Sequence, residues 1–260
     1  MEMYDRADAA FYDYYSTGLE GDVAFYVEEA QKAGAPVLEL GCGTGRTLIP
    51  VAQSGIEIVG LDRAPAMLAI CRDKIAKLSP ETQRRIDILE GDMRDFSLAR
   101  RFKLVTIPYR AFLHLLTVED QRSALRCIHD HLEDDGRLIL NIFDPRLDII
   151  TAHLGPLGSA VKKLDEFTHP DTGRHVLVSD TRTYTPESQL IEQCWIFEEL
   201  DDQGTVVAKR YTPMTLRYVY RYEMQHLLEL CGYAVEALYG DFQRGPFRYG
   251  GEQIWVARKT

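Results

Sequence analysis

Val37-Leu-Glu-Leu-Gly41-Cys-Gly43-Thr-Gly45-Arg46 decides how this chain must fold. A short apolar run with the look of a buried strand leads directly into a turn with three glycines. A helical pattern led by Leu48, Val51 and Ala52 follows. Strand, glycine turn and helix in that order open a βαβ unit, the building block of a parallel sheet. Glycine is needed where the backbone turns sharply and where a ligand lies against the main chain with no Cβ in the way.

Outward from that stretch the same alternation continues to Phe143. Ile56 to Leu61, Ile86 to Leu89, Leu104 to Ile107 and Leu138 to Phe143 read as further strands. Between them, Gly55 ends the first helix, and Leu68, Cys71, Ile75 and Leu78 mark a second opened by Pro65. A third spans about Glu119 to Glu133, with Thr117 as N-cap and Gly136 as the left-handed residue past its end. Pro50 removes a hydrogen bond within the first helix and predicts a mild kink.

After Pro145 the texture changes. Arg174 to Tyr184, Leu190 to Leu200 and Thr205 to Tyr220 are rich in β-branched and aromatic residues and are separated by turn sequences, as in an antiparallel meander. The chain then returns to a helix with Met224, Leu227, Leu228 and Cys231 on one face, closed by Gly232. It ends in strands near Tyr233 to Tyr239 and Gln253 to Ala257. The expected division is an N-terminal helical lid over 1–35, a cofactor-binding core over 36–145, a β insertion over 146–220, and a C-terminal part over 221–260 that completes the core sheet.

The 260 residues carry a formal charge of −10, with 45% hydrophobic and 27% charged side chains. That is ordinary globular composition, and its negative field disfavours nucleic acid and anionic lipid, leaving small molecules as the expected partners. No apolar run approaches the roughly 20 residues of a membrane span, and Met1 to Tyr15 is nothing like a signal peptide, so the protein is expected in the cytoplasm. Five scattered cysteines without a C-x-x-C pair predict reduced thiols and no zinc site. His129 and His131 lie two apart, point to different faces of a helix, and read as solvated surface; no metal is expected.

The ligand of the glycine turn follows from its neighbours. A dinucleotide fingerprint needs glycine where Arg46 stands, and a P-loop pattern is absent. Glu39, just before the turn, would repel a pyrophosphate but suits an ammonium group, as in the methionine end of S-adenosylmethionine. Asp62 closes the second strand, where a Rossmann unit places a carboxylate on ribose hydroxyls. Asp92 ends the third strand and can accept a hydrogen bond from an adenine amino group. Met67 and Met93 can flank the base, although a methionine at helical spacing is more often plain core.

Leu38-Glu-Leu-Gly-Cys-Gly-Thr-Gly-Arg46, Val59-Gly-Leu-Asp62-Arg63-Ala-Pro-Ala-Met67-Leu68 and Leu89-Glu-Gly-Asp92-Met93-Arg-Asp-Phe96 together resemble the successive cofactor motifs of class I S-adenosylmethionine-dependent methyltransferases. The likeness covers roughly residues 1 to 145. It implies an α/β, Rossmann-like seven-stranded sheet of order 3-2-1-4-5-7-6 with the last strand antiparallel, helices on its flanks and the meander as an insertion. It also implies Glu39, Gly41, Asp62 and Asp92 as cofactor contacts. Cys42, Gly43, Arg46, Arg63, Met67, Gly91, Met93 and Pro108 complete the candidate set. Ala64 departs from the pattern, since similar enzymes often carry a serine helix cap there.

Ligands of α/β sheets sit at the carboxyl ends of the strands, so Pro108 to His114 should face the methyl acceptor. His114 is the candidate base, with Tyr109 beside it, and Arg110 can grip a carboxylate. Phe11-Tyr-Asp-Tyr-Tyr15 resembles the aromatic lid of small-substrate members, which implies Tyr12 and Tyr15 over the cofactor. The meander either walls the acceptor site, through Trp195, Tyr211, Arg217 and Tyr218, or forms a homodimer interface. The expected activity is methyl transfer to nitrogen or oxygen of a small molecule. A protein methyltransferase and a non-catalytic cofactor-binding regulator are the alternatives.

Overall fold

The computed structural model describes residues 6–154 and 160–260; the first five residues of the expected N-terminal segment and residues 155–159 of the expected insertion lie outside them. In chain order the elements begin with α1 (Arg6–Tyr15), α2 (Asp22–Ala33), β1 (Val37–Leu40), α3 (Leu48–Gln53), β2 (Ile58–Asp62), α4 (Pro65–Ile75), α5 (Pro80–Gln83), β3 (Ile86–Glu90) and β4 (Phe102–Ile107). A 3-10 turn (Ala111–His114) precedes α6 (Val118–His131), β5 (Leu132–Phe143) and α7 (Leu147–Ala152). Then come β6 (Lys162–Thr168), β7 (His175–Thr185), β8 (Leu190–Leu200), β9 (Val206–Arg217), α8 (Arg221–Leu230), β10 (Tyr233–Tyr239) and β11 (Glu252–Lys259).

Seven strands form one sheet in the order β10-β11-β5-β4-β1-β2-β3. β1 to β5 run parallel, and β11 is antiparallel to both of its neighbours. This is the order 3-2-1-4-5-7-6 expected above, with the final strand reversed. The apolar runs read as strands because a parallel sheet is covered on both faces: all four residues of β1 are buried. Phe25 and Tyr26 of α2, Leu48 of α3, Leu68 of α4, Leu104 of β4 and Ile254 of β11 share one core around that sheet.

Three local expectations change. Pro50 is the third residue of α3, where the N–H of an α-helix has no internal partner, so the ring costs no hydrogen bond there. α6 begins as expected, with Thr117 Oγ1 accepting from the Asp120 N–H at 3.0 Å, but ends at His131 and passes at once into β5. Gly136 therefore lies inside β5, outside the left-handed region, at the register shift where β5 meets β4. A Cβ there would stand 2.9 Å from the Glu133 carbonyl oxygen and 3.0 Å from that of Phe102, so glycine is required by close backbone approach.

The chain divides into two compact units: Met1–Thr17 with Arg146–Tyr218, and Gly18–Pro145 with Val219–Thr260. In the first, β6-β7-β8-β9 form an antiparallel sheet, and α1 packs against β6. Phe11 of α1 joins Val176, Val178 and Phe197 in its core, with Tyr15, Phe167 and Trp195 against them. The unit boundary falls within the segment 1–35, since α2 packs on α3 and β4 of the second unit. β6 was not expected because Lys-Lys-Leu-Asp-Glu-Phe-Thr is mostly exposed and charged, as suits an edge strand that must not recruit another. Among the described residues no helix is long and apolar enough to cross a membrane.

Gly136→Ala is expected to lower stability by about 1–3 kcal/mol, because two of the three atoms that its methyl would meet belong to the backbone and the third is Leu132 Cδ2. Urea unfolding measures it; an unchanged midpoint would mean that the β4–β5 junction opens freely.

Candidate functional site

The glycine turn is held from the neighbouring strand. The Gly41 N–H donates to the Leu61 carbonyl at 2.8 Å, and the Gly43 N–H to Asp62 Oδ2 at 2.8 Å. Asp62 Oδ1 accepts from the Ala64 N–H at 2.9 Å. One carboxylate thus pins the turn to the start of α4, and it substitutes for the side-chain cap that Ala64 lacks. Burial raises the Asp62 pKa above its usual value, and the bonds from the Ala64, Gly43 and Arg63 main chain oppose the shift. Gly41 has φ 70°, and a Cβ there would lie 2.7 Å from Ala111 Cβ, so the turn presses against the segment after β4.

Glu39 lies in the middle of the sheet, paired with Gly60 and Thr106, and is 2% exposed. Its Oε2 is buried with no hydrogen-bond partner among the described residues. Burial pushes its pKa up to about 8, against the charge of Arg46 and a bond from the Leu48 N–H. A buried carboxylate oxygen with nothing to accept from is costly, and an ammonium group placed against it removes that cost. The residues present therefore fit a ligand with a cationic amine at the end of β1.

Arg46 does not stand open in the turn. Its Nη1 and Nη2 reach Asp22 Oδ1 and Oδ2 at 2.9 and 2.7 Å, and its guanidinium lies 4.7 Å over the Tyr109 ring. Gly18 makes room for it: a Cβ there would overlap Arg46 Nη1 at 2.2 Å. Cys42 directs its thiol into the core toward Gly60, so only its backbone borders the turn. Met67 and Met93 lie beside it; a Cβ at Gly43 would meet Met67 Cε at 3.4 Å, and one at Gly41 would meet Met93 Cε at 3.8 Å. Gly91 donates to the Asp62 carbonyl at 3.0 Å, Pro108 is buried at the end of β4, and Arg63 is exposed.

Asp92 is engaged by a residue absent from the expected set. Arg94 donates to Asp92 Oδ1 from its N–H at 2.9 Å and its Nε at 3.0 Å, and to Oδ2 from Nη2 at 2.7 Å. Burial alone would raise the carboxyl; these bonds outweigh it and hold the pKa below the usual range.

The turn after β4 has an uncommon backbone. Tyr109 and Arg110 both take positive φ, 52° and 68°, which costs a non-glycine residue about 1–3 kcal/mol. Asn141, 0% exposed on β5, holds it there. Asn141 Oδ1 accepts from the Tyr109 N–H and from the Tyr26 hydroxyl, both at 2.8 Å, while its Nδ2 donates to Glu252 Oε2 at 3.0 Å. Glu252 Oε1 in turn accepts from Arg110 Nε at 3.0 Å and from Nη2. Arg110 is thus committed to an internal ion pair and is not the open carboxylate grip that the sequence suggested. Burial first, then Asp22, Glu39 and Glu252, push the Tyr26 phenol far up, so it stays a donor.

His114 ends the 3-10 turn. Burial first, and then the charge of Arg63, lower its pKa to about 4, so its ring is neutral near pH 7 and weakly basic. His131 is not solvated surface: its Nε2 accepts from the Leu98 N–H at 3.0 Å. In the other unit, Tyr15 packs on Trp195 with centroids 5.0 Å apart and Tyr12 meets Tyr15 at 5.9 Å. Arg217 donates to the Ser188 carbonyl at 3.2 Å and Gln189 Oε1 at 3.3 Å, Tyr211 is 56% exposed, and Tyr218 at 1% is core.

Sequence reading passed over Asp22, Tyr26, Arg94, Asn141 and Glu252. Asn141 had a signal, a lone amide within the apolar run Leu-Ile-Leu-Asn-Ile-Phe, because a buried polar residue is the informative exception. Asn141→Ala removes the partner of three polar groups at once and is expected to cost about 3 kcal/mol by chemical denaturation. Adding Tyr26→Phe should return part of that loss, and a near-neutral single variant would show that the turn holds itself.

A family model described as a methyltransferase domain matches residues 37–136. The cypemycin N-terminal methyltransferase of a Streptomyces species is 30% identical over 257 residues, covering 98% of this chain and 96% of that protein. Among solved structures, the CcbJ methyltransferase of Streptomyces caelestis superposes with a TM-score of 0.78 at 23% identity, over 94% of this chain and 98% of that one. The S-adenosylmethionine-bound amino pentose methyltransferase CalS10 of Micromonospora echinaspora gives 0.70 at 23% identity, over 100% and 99%. The sheet order, the glycine turn beside an unpartnered buried carboxylate and a relative alike over nearly its whole length agree: the chain belongs to the class I methyltransferases that use S-adenosylmethionine.

Proposed function

We propose that the chain transfers a methyl group to the nitrogen of a small-molecule amine. When bound, S-adenosylmethionine supplies an electrophilic methyl group on a cationic sulfur. Glu39 receives the donor's ammonium group, with the backbone of Gly41, Cys42 and Gly43 along the methionine end. Asp62 has acceptor capacity left for ribose hydroxyls, since a carboxylate offers about four acceptor positions. Asp92 accepts from the adenine amino group, and Met67 and Met93 flank the base. Tyr109 and His114 face the acceptor at the end of β4.

The choice of nitrogen is supported by the names of the similar proteins and by the burial of His114, which lowers its basicity. A neutral amine attacks in line with its own lone pair: the C–N bond forms as the C–S bond breaks, and the electron pair stays on sulfur. The proton is shed afterwards to water. A hydroxyl acceptor needs a base to develop its charge, and a ring with a pKa of about 4 is poorly matched to that task. The neutral ring can instead accept a hydrogen bond from the amine and orient it. The net charge of −10 also favours a cationic acceptor over a phosphorylated polymer or an anionic membrane. The names of the two relatives, an N-terminal and an amino pentose methyltransferase, point the same way. A second reading, in which the amine is the N terminus of a larger molecule, is favoured by the first of them.

Two measurements test this reading. Release of S-adenosylhomocysteine should occur with a panel of amino sugars, simple amines or N-terminal peptides and not with their hydroxyl analogues; turnover confined to the hydroxyl compounds would overturn it. Glu39 gives the pH dependence. Its folded pKa of about 8 lies above its ordinary value of 4.5, so the stability of its neutral form is fully present below 4.5 and lost as pH rises through about 8. Binding a cation to the ionised form should therefore release close to one proton at pH 7, with affinity rising toward pH 8. Calorimetry with S-adenosylhomocysteine in two buffers of different ionisation enthalpy reads this release, which Glu39→Gln should abolish; equal heats in wild type would mean that Glu39 is already ionised, and unchanged affinity in Glu39→Gln would remove it from the ammonium site.

A further inference from the structure

Between β3 and β4 the chain from Arg94 to Leu98 belongs to no strand, and its polar groups go to one face of α6. Asp120, Ser123, Cys127 and His131 recur at intervals of three and four and so line that face. The Asp120 carboxylate accepts from Arg94 Nη1 at 3.0 Å, and Ser123 Oγ donates to the Arg94 carbonyl at 3.0 Å. Cys127 Sγ accepts from the Phe96 N–H at 3.4 Å and donates to its carbonyl at 3.2 Å. His131 Nε2 accepts from the Leu98 N–H, while its Nδ1 stands 2.7 Å from the Cys127 carbonyl and so carries the proton. Every second residue of the segment is held in this way.

We propose that this stripe serves the donor site through Arg94, a positioning residue that fixes the plane of the Asp92 carboxylate and so aims its one remaining acceptor position at the donor's base. The proposal rests on the assignment of Asp92 to adenine. Of the roughly four acceptor positions of a carboxylate, Arg94 fills both on Oδ1, through its N–H and Nε, and one on Oδ2, through Nη2. One lone pair on Oδ2 is left. An adenine amino group donates to it; hypoxanthine in the same place presents a carbonyl oxygen, which the carboxylate repels. The planar guanidinium is tied to Asp120 on its other side, so Asp92 cannot turn to offer a different edge.

The test is calorimetric titration with S-adenosylhomocysteine and S-inosylhomocysteine, on wild type and on Asp92→Asn, Arg94→Met, Arg94→Lys and Asp120→Asn. Wild type should prefer the adenosine compound by about tenfold or more, the scale of a hydrogen bond to a charged group. Asp92→Asn should lose that preference. Both Arg94 variants should bring the ratio to within about threefold, and Asp120→Asn should fall between. Arg94→Lys keeps the charge without the fork, and so answers the question if Arg94→Met does not fold. If the Arg94 variants weaken both ligands equally and keep the wild-type ratio while Asp92→Asn loses it, Arg94 is only structural and the proposal is overturned. A wild-type protein without preference, or an Asp92→Asn variant that keeps it, overturns the Asp92 assignment instead. Failure of wild type to bind either ligand would refute the donor site itself.

Discussion

One oxygen of Asn141 accepts from both the Tyr26 hydroxyl and the Tyr109 N–H, and the architecture of the site hangs on that pairing. It joins α2, the end of β4 and the centre of β5, and through Asn141 Nδ2 and Glu252 it extends to β11 and back to Arg110. Two consecutive left-handed residues without glycine persist only where their surroundings over-determine them. A fully buried amide with its donors and acceptors matched supplies that determination, at high cost if any one partner is lost.

The carboxylates of this unit divide by what already holds them. Asp22 is taken by Arg46 and two main-chain N–H groups, Asp62 by the glycine turn and the start of α4, Asp92 by Arg94, and Glu252 by Arg110 and Asn141. Each of these four carboxylates has donors on its oxygens. Glu39 alone among these five has a buried oxygen with no partner among the described residues, and burial pushes its pKa up to about 8.

Much of this was legible before the fold was known. The glycine turn, its preceding carboxylate and the acids that end the next two strands are local signals, because each depends on the few residues around it and on the alternation of strand and helix. The sheet order came with the family resemblance. The edge strand β6 was hidden because it buries too little to show a pattern, and Gly136 was misplaced because a glycine after a helix and a glycine in a crowded bulge look alike in sequence.

By itself, then, the sequence determined the βαβ core, the methyltransferase motifs and the chemical character of the donor site, all of which are written in residues near one another along the chain. Only the tertiary structure decided that Arg110 is spoken for by Glu252, that Arg46 is answered by Asp22, and that burial lowers the basicity of His114. Which charges meet across a sheet and how deeply a ring is buried depend on contacts between residues far apart in the chain, 142 positions for Arg110 and Glu252, and no local pattern carries them.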